Sequence, residues 1–303
     1  MKISTAQFYN NASRQMIESQ QRLSGVQAEL ATGKKYLSAS DAPDKNSAIQ
    51  RLSSLLSQQD VHQKNLESVN QRLQTQETAL RTSSNLLIRL RELATQFANS
   101  TYTPIQRKSA ATEVQGIRDQ LLGLANAKDA NGKSVFAGSL TGQNAFSAAG
   151  VYQGNQANLE VEVGESYQLQ TPRSGSDVFT SVTRQQGSQP AQAIGFFQAL
   201  DDFTDALKNS DIDAIRMSIS EADQLHQGVT SALAQIGVRL KDAQDQGVML
   251  NEQNLRLKTL QSELQDVDYA EAITRMQKEM MGLQAAQSSF SQISRLSLFN
   301  YMN

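Results

Sequence analysis

The chain of 303 residues contains no cysteine. That excludes a disulfide, a thiolate metal site and a cysteine nucleophile. There is no tryptophan, and aromatic residues make up only 6%. Two histidines are present, His62 and His226, so a His-rich metal centre is excluded and only two side chains could act as an imidazole base. Neither sign of charge dominates: 28 Lys and Arg face 30 Asp and Glu, a net charge of −2. Such a balance offers no broad field for nucleic acid or an acidic membrane. No apolar run approaches the ~20 residues of a membrane span. The opening Met1-Lys2-Ile3-Ser4-Thr5-Ala6-Gln7 lacks an apolar signal-peptide core, which predicts no Sec-type secretion and by itself reads as cytoplasmic. Hydrophobic residues reach 39%, whereas glutamine alone contributes 38 residues. Length suggests about two domains.

What is present is heptad spacing. One series reads Leu52, Gln59, Leu66, Leu73, Leu80, Leu87, Ala94, and its partner reads Leu55, His62, Val69, Gln76, Ser83, Leu90, Phe97. This is a helical seam with polar defects at Gln59, His62, Gln76 and Ser83. No Pro or Gly interrupts residues 44–98. Ser40 or Asp41 is expected to cap the start, with Pro43 in the first turn. A second seam reads Val229, Ile236, Ala243, Leu250, Leu257, Leu264, with Leu233 and Leu240 beside it. Shorter seams run through Val114, Ile117, Leu121, Leu124 and through Phe196, Leu200, Phe203, Leu207. About 55 helical residues span ~80 Å, against a radius of gyration of ~19 Å for a compact globule of this length. The expectation is therefore a rod of long helices.

Residues 129–186 differ, being rich in Gly, Ser and Asn. Asn131-Gly132 is a turn signal. Leu159, Val161 and Val163 alternate with Glu160 and Glu162, and Tyr167, Leu169 and Thr171 alternate next, the period of half-buried strands. Val151-Tyr152 and Val178-Phe179 read as further short strands. A small inserted β subdomain follows.

The two ends carry narrow stripes. Tyr9, Met16, Leu23 and Leu30 are seven apart, with Ala12 and Val26 between them. Ile273, Met276, Met280, Leu283, Gln287 and Phe290 follow at spacings of three and four. A seam so narrow buries little apolar surface against ~1–2 kcal/mol of backbone entropy per residue. The end helices are expected to be marginal alone and to order on pairing.

Chemistry finds little support. His62 and His226 read as polar interruptions of seams. Asp201, Asp202 and Asp205 read as a solvated helix face. No GxGxxG or Walker-type loop exists. Met276, Met280 and Met281 suit an adaptable binding surface as well as seam packing. Uncharged Gln- and Ser-rich faces beside narrow seams suit a chain that packs against copies of itself. No residue is assigned to catalysis, a cofactor or a metal, and the chain reads as a non-enzyme.

Three blocks carry a family resemblance. Leu30-Ala-Thr-Gly33-Lys-Lys-Tyr-Leu-Ser-Ala-Ser40-Asp41-Ala42-Pro43 is similar to the N-terminal signature of the bacterial flagellin superfamily. Its Ser40-Asp41-Ala42-Pro43 form resembles the hook-associated branch more than filament flagellin. Ala125-Asn126-Ala127-Lys128-Asp129-Ala130-Asn131-Gly132 and Phe136-Ala137-Gly138 are similar to the loop leading into that branch's β region. Asp266-Val267-Asp268-Tyr269, then Leu283-Gln284-Ala285, then Leu296-Ser297-Leu298-Phe299-Asn300-Tyr301 resemble the family C-terminus.

The resemblance implies a mainly α fold, an elongated rod of long antiparallel helices. Residues 1–40 and 265–303 would form an inner terminal coiled-coil domain, 41–128 and 187–264 the helical rod, and 129–186 a β-rich outer subdomain. It implies a structural protein of the flagellum, exported unfolded by the type III apparatus to the cell exterior. There it would form a junction ring between hook-associated protein 1 and the flagellin filament. The implied partners are hook-associated protein 1, flagellin and further copies of the chain. A cytoplasmic export chaperone would bind the C-terminal segment at Met276, Met280, Leu283 and Phe290. No nucleic acid, membrane or cofactor is expected. Assembly contacts fall on Tyr9, Met16, Leu23, Val26 and Leu30, on Ile273, Met276, Met280, Leu283 and Phe290, and on a tail of Leu296, Leu298, Phe299 and Tyr301. The competing readings are a short filament flagellin and a cytoplasmic coiled-coil adaptor.

Overall fold

The structure, a computed structural model, describes residues 2–157, 160–170, 174–185 and 190–299. Its described elements run α1 (Lys2–Thr32), α2 (Pro43–Phe97), α3 (Pro104–Ala125), β1 (Glu160–Gly164), β2 (Tyr167–Gln170), α4 (Gly175–Val178), β3 (Val182–Arg184), β4 (Gln192–Ile194), α5 (Phe196–Asn209), α6 (Ile212–Gln265) and α7 (Tyr269–Phe299). The chain is mainly α, as the seams predict. Contacts gather it into two compact units, Met1–Gln58 with Gln253–Asn303, and Gln59–Glu252. Helices α2 and α6 each run from one unit into the other.

The second unit holds the main core. Along α2 the seam positions Leu66, Val69, Leu73, Leu80, Leu87, Leu90, Ala94 and Phe97 are all buried. They join Val114, Ile117 and Leu121 of α3, Phe203 and Leu207 of α5, and Val229, Ile236 and Leu250 of α6 in one cluster. Two polar defects of the seam are used. Gln76, fully buried, donates through Nε2 to the Val135 carbonyl at 2.5 Å, and Ser83 Oγ donates to the Ala79 carbonyl at 2.8 Å. Such groups are costly to bury unless bonded. In the first unit the seam loosens: Leu55 is exposed, and Leu52 is half-buried.

Helix starts follow local chemistry. At α3, Thr103 and Gln106 form a capping box ahead of Pro104, satisfying amides that lack an intrahelical partner. At α2 the expected caps do something else. Asp41 Oδ2 accepts from the Leu37 and Ser38 amides at 3.0 and 2.8 Å, folding back on its own loop. The first helical bond, Asn46 N to the Ala42 carbonyl at 2.9 Å, makes Ala42 the cap residue.

The strands form two separate antiparallel pairs, β1 with β2 and β3 with β4. Val163 and Leu169 are buried, whereas Tyr167 is exposed. The alternation predicts Tyr167 on the same side as Leu169. A register shift between Glu162 and Gly164 places Tyr167 opposite Gly164 at the strand end instead. Leu159 and Thr171 lie outside the described residues. Side-chain amides from the helices bond the backbone of β1: Asn65 Nδ2 donates to the Glu162 carbonyl at 2.9 Å and Gln246 Nε2 to that of Val163 at 3.0 Å. Val178 closes the short helix α4 rather than a strand, and Tyr152 makes a single bridge to Phe146. Both differences have one cause, since Phe146, Tyr152, Phe179, Phe196 and Phe197 pack ring on ring at centroid distances of 5.1–6.2 Å. Burial of these rings, not strand pairing, sets the local backbone.

The acidic cluster divides among separate cations. Asp201 takes Arg118 at 3.0 Å, Asp202 takes Arg184 at 2.6 Å, and Asp205 takes Lys208 at 3.1 Å. His226 Nε2 lies 3.0 Å from Ser84 Oγ, a contact joining α6 to α2.

Candidate assembly interface

The terminal stripes meet each other. Helices α1 and α7 pack antiparallel in the first unit, and three relationships fix the direction. Tyr9 faces Phe290 with ring centroids 5.4 Å apart and nearly perpendicular planes. Arg22 pairs with Glu279 at 3.2 Å, and Arg275 with Glu29 at 2.7 Å. As residue numbers rise on α1 they fall on α7.

The base of the pair is closed by backbone. Helix α1 ends at Gly33, whose φ of +69° is a left-handed conformation that a side chain disfavours. A Cβ there would also stand 3.0 Å from the Tyr269 hydroxyl. Beyond the glycine, the Val267 amide donates to the Gly33 carbonyl at 3.0 Å and the Lys35 amide to that of Gln265 at 2.7 Å. Lys34 and Asp266 form the bridge between them. Asp268 then starts α7, its Oδ1 accepting from the Ala270 and Glu271 amides at 2.9 and 3.2 Å. The flanking blocks around Gly33 and Asp268 are thus one structural joint.

Above the joint the apolar contact is thin. Val26, Val267 and Ala272 are buried, with Leu30 and Met276 packed against them. Tyr9, Met16, Leu23, Leu283 and Phe290 are half-buried. Ile273 and Met280 are each 43% exposed, and Ile17 and Met281, outside the predicted stripes, are 53% and 63% exposed. Leu296, Leu298 and Phe299 lie in the last turns of α7, and Tyr301 lies outside the described residues.

Sequence reasoning on apolar spacing missed the two cross-helix ion pairs and Ala272. A signal was there: Arg22 and Glu29 are seven apart on α1, and Glu271, Arg275 and Glu279 are four apart on α7. Charges at heptad intervals beside a seam set partner and orientation. The pairs border a cleft of about 430 Å³ lined by Arg22, Gly25, Val26, Glu29, Arg275, Lys278 and Glu279. What such a surface does physically is pack. Val26 is covered, most of the stripe is half-buried, and Ile273 and Met280 stay open to water.

Residues 3–141 match the bacterial flagellin N-terminal helical region, and residues 207–302 match the bacterial flagellin C-terminal helical region. Together the two models span more than three quarters of the chain. The chain is 28% identical to flagellar hook-associated protein 3 of Escherichia coli, over 99% of both chains. Against the protein of the same name from Salmonella typhimurium it is 26% identical, again over 99% of both. Among solved structures it resembles flagellar hook associated protein-3 of Legionella pneumophila. That match has a TM-score of 0.64 at 17% identity and covers 71% of this chain and 98% of that one.

Proposed function

This chain belongs to the bacterial flagellin family, and on that premise we propose that it is the structural subunit that joins hook to filament in the flagellum. The observation that carries this reading is the thin, half-covered seam between α1 and α7. Two helices of 31 residues each expose Ile17, Ile273, Met280 and Met281 after pairing. A helix pair that leaves so much apolar surface open is incomplete until neighbours cover it. Full-length similarity to two proteins named flagellar hook-associated protein 3 supports the junction over the filament body.

On this reading the chain forms a ring that contacts hook-associated protein 1 on one side and flagellin on the other. Its contacts use the stripe residues of α1 and α7 together with Leu296, Leu298, Phe299 and Tyr301. Export proceeds through the flagellar channel in an unfolded state, and no disulfide can form to obstruct it, since the chain has no cysteine. Before export a chaperone shields Met276, Met280, Leu283 and Phe290. The function is mechanical, with no catalytic step.

Immuno-labelled electron microscopy of intact flagella tests the assignment. Label confined to one position between hook and filament is expected. Label along the whole filament would select a filament flagellin, and label only inside cells a cytoplasmic adaptor.

A further inference from the structure

Helix α6 carries two seams. One, through Val229, Ile236, Ala243 and Leu250, is buried inside the second unit. The other runs along the outer side of the same helix through Ala234, Val238, Lys241, Asp245, Val248 and Glu252, all exposed. Its spacings alternate four and three, the periodicity of a coiled-coil seam. Val238 is 62% exposed, Val248 58%, and Met249 beside it 54%. Gly237, next to Val238, sits in the helix interior, where glycine weakens the helix. A Cβ at this glycine would meet nothing within 4 Å, so no contact among the described residues requires it.

The outer seam is self-complementary when reversed about Ala243. Val238 and Val248 are each five residues from that point, Lys241 and Asp245 each two, and Gly237 and Met249 each six. An antiparallel copy laid on this face sets Val238 against the second copy's Val248 and Lys241 against its Asp245. Lys241 Nζ already holds Asp245 Oδ1 of its own helix at 2.5 Å. In the pair the four charges alternate in sign around the axis. A parallel copy would set Lys241 on Lys241 and Asp245 on Asp245, which like-charge repulsion disfavours.

We propose that the unassembled protein pairs with a second copy through this outer face of α6, antiparallel, about a two-fold axis at Ala243. The seam covers about 27 Å of helix, a small contact that gives a weak, concentration-dependent pair. A two-fold contact uses the same patch on both copies and closes on itself, so it cannot be the repeating contact of a ring. It therefore stands apart from the junction reading, and its pairs must separate before ring assembly.

The absence of cysteine makes the test direct. Full-length chains carrying Val238→Cys and Val248→Cys are mixed in equal amounts and mildly oxidised. The mixed disulfide should exceed either homodimer by well over the twofold that random pairing gives. A statistical mixture, an excess of the homodimers, or no crosslink at all overturns the proposal. Sedimentation equilibrium of the full chain supplies a second reading. Lys241→Glu should weaken the pair about tenfold, and Lys241→Glu with Asp245→Lys should restore it, with helicity unchanged by circular dichroism. A wild-type chain that is monomeric at every concentration, or a double variant that fails to recover, also overturns it.

Discussion

The ring of Tyr9 meets that of Phe290 edge to face at 5.4 Å, joining positions separated by nearly the whole chain. An aromatic pair of this geometry contributes about 0.5–1.5 kcal/mol beyond its area. The changes Tyr9→Ala and Phe290→Ala should therefore be non-additive. The double variant should lose less helix-pair stability than the two singles combined, measured as amide protection along α1 and α7.

Protection should also differ between the units. The α1–α7 pair buries Val26, Val267 and Ala272, whereas the second unit buries a continuous cluster from Leu66 to Leu250. Local opening follows the amount of buried apolar contact. Hydrogen exchange on the purified chain should be fast through α1 and α7 and slow through α3 and α5. Limited proteolysis should trim to about Ser40 and Gln265 and leave the second unit intact. Equal resistance at the ends would remove the argument that they are marginal.

Leu283→Asp with Phe290→Asp should abolish incorporation into flagella and chaperone binding while leaving the second unit folded. Both side chains are half-buried in the free chain, Phe290 against Tyr9 of α1, so a carboxylate at either position disfavours every apolar pairing of this face. Filaments that still attach to hooks with this double change would place the contact elsewhere.

Arg184 of β3 is a structural staple. Its guanidinium forks onto both oxygens of Glu221, only 3% exposed on α6, and donates to Asp202 of α5 at 2.6 Å. Those carboxylates hold its pKa above the ordinary range, Glu221 most strongly. Arg184→Met leaves a buried carboxylate without its partner and should cost about 3 kcal/mol in urea unfolding. Asp202→Asn should cost much less, because that carboxylate is partly solvated.

Tyr152 gives a pH dependence. Its single hydroxyl proton is shared between the Asn155 and Phe136 carbonyls, at 2.9 and 3.1 Å, and burial raises its pKa. The folded state thus holds the phenolic proton more tightly than the unfolded chain, whose tyrosines titrate near pH 10. This contribution is complete below about pH 10 and is lost as pH rises beyond it. Tyr152→Phe should lower stability at neutral pH, where those hydrogen bonds are lost, and flatten its decline on the alkaline side. Thermal unfolding from pH 8 to 11 checks both.

The sequence by itself determined the helices, the narrowness of the terminal seams and the break in pattern after Ala125. Those properties are periodic or compositional, so each is written in contiguous residues. Tertiary structure alone decided what the seams touch. Tyr9 against Phe290, Glu29 against Arg275, and the Gly33 carbonyl under the Val267 amide join residues more than 230 positions apart. A heptad stripe fits many partners and registers equally well, and ion pairs and a backbone bridge choose among them. The polar defects changed meaning in the same way. Gln76 looks like a flaw in a leucine seam until the Val135 carbonyl is found beneath it. The aromatic cluster turned predicted strands into a short helix and a single bridge, because packing five rings together outweighs two residues of strand preference.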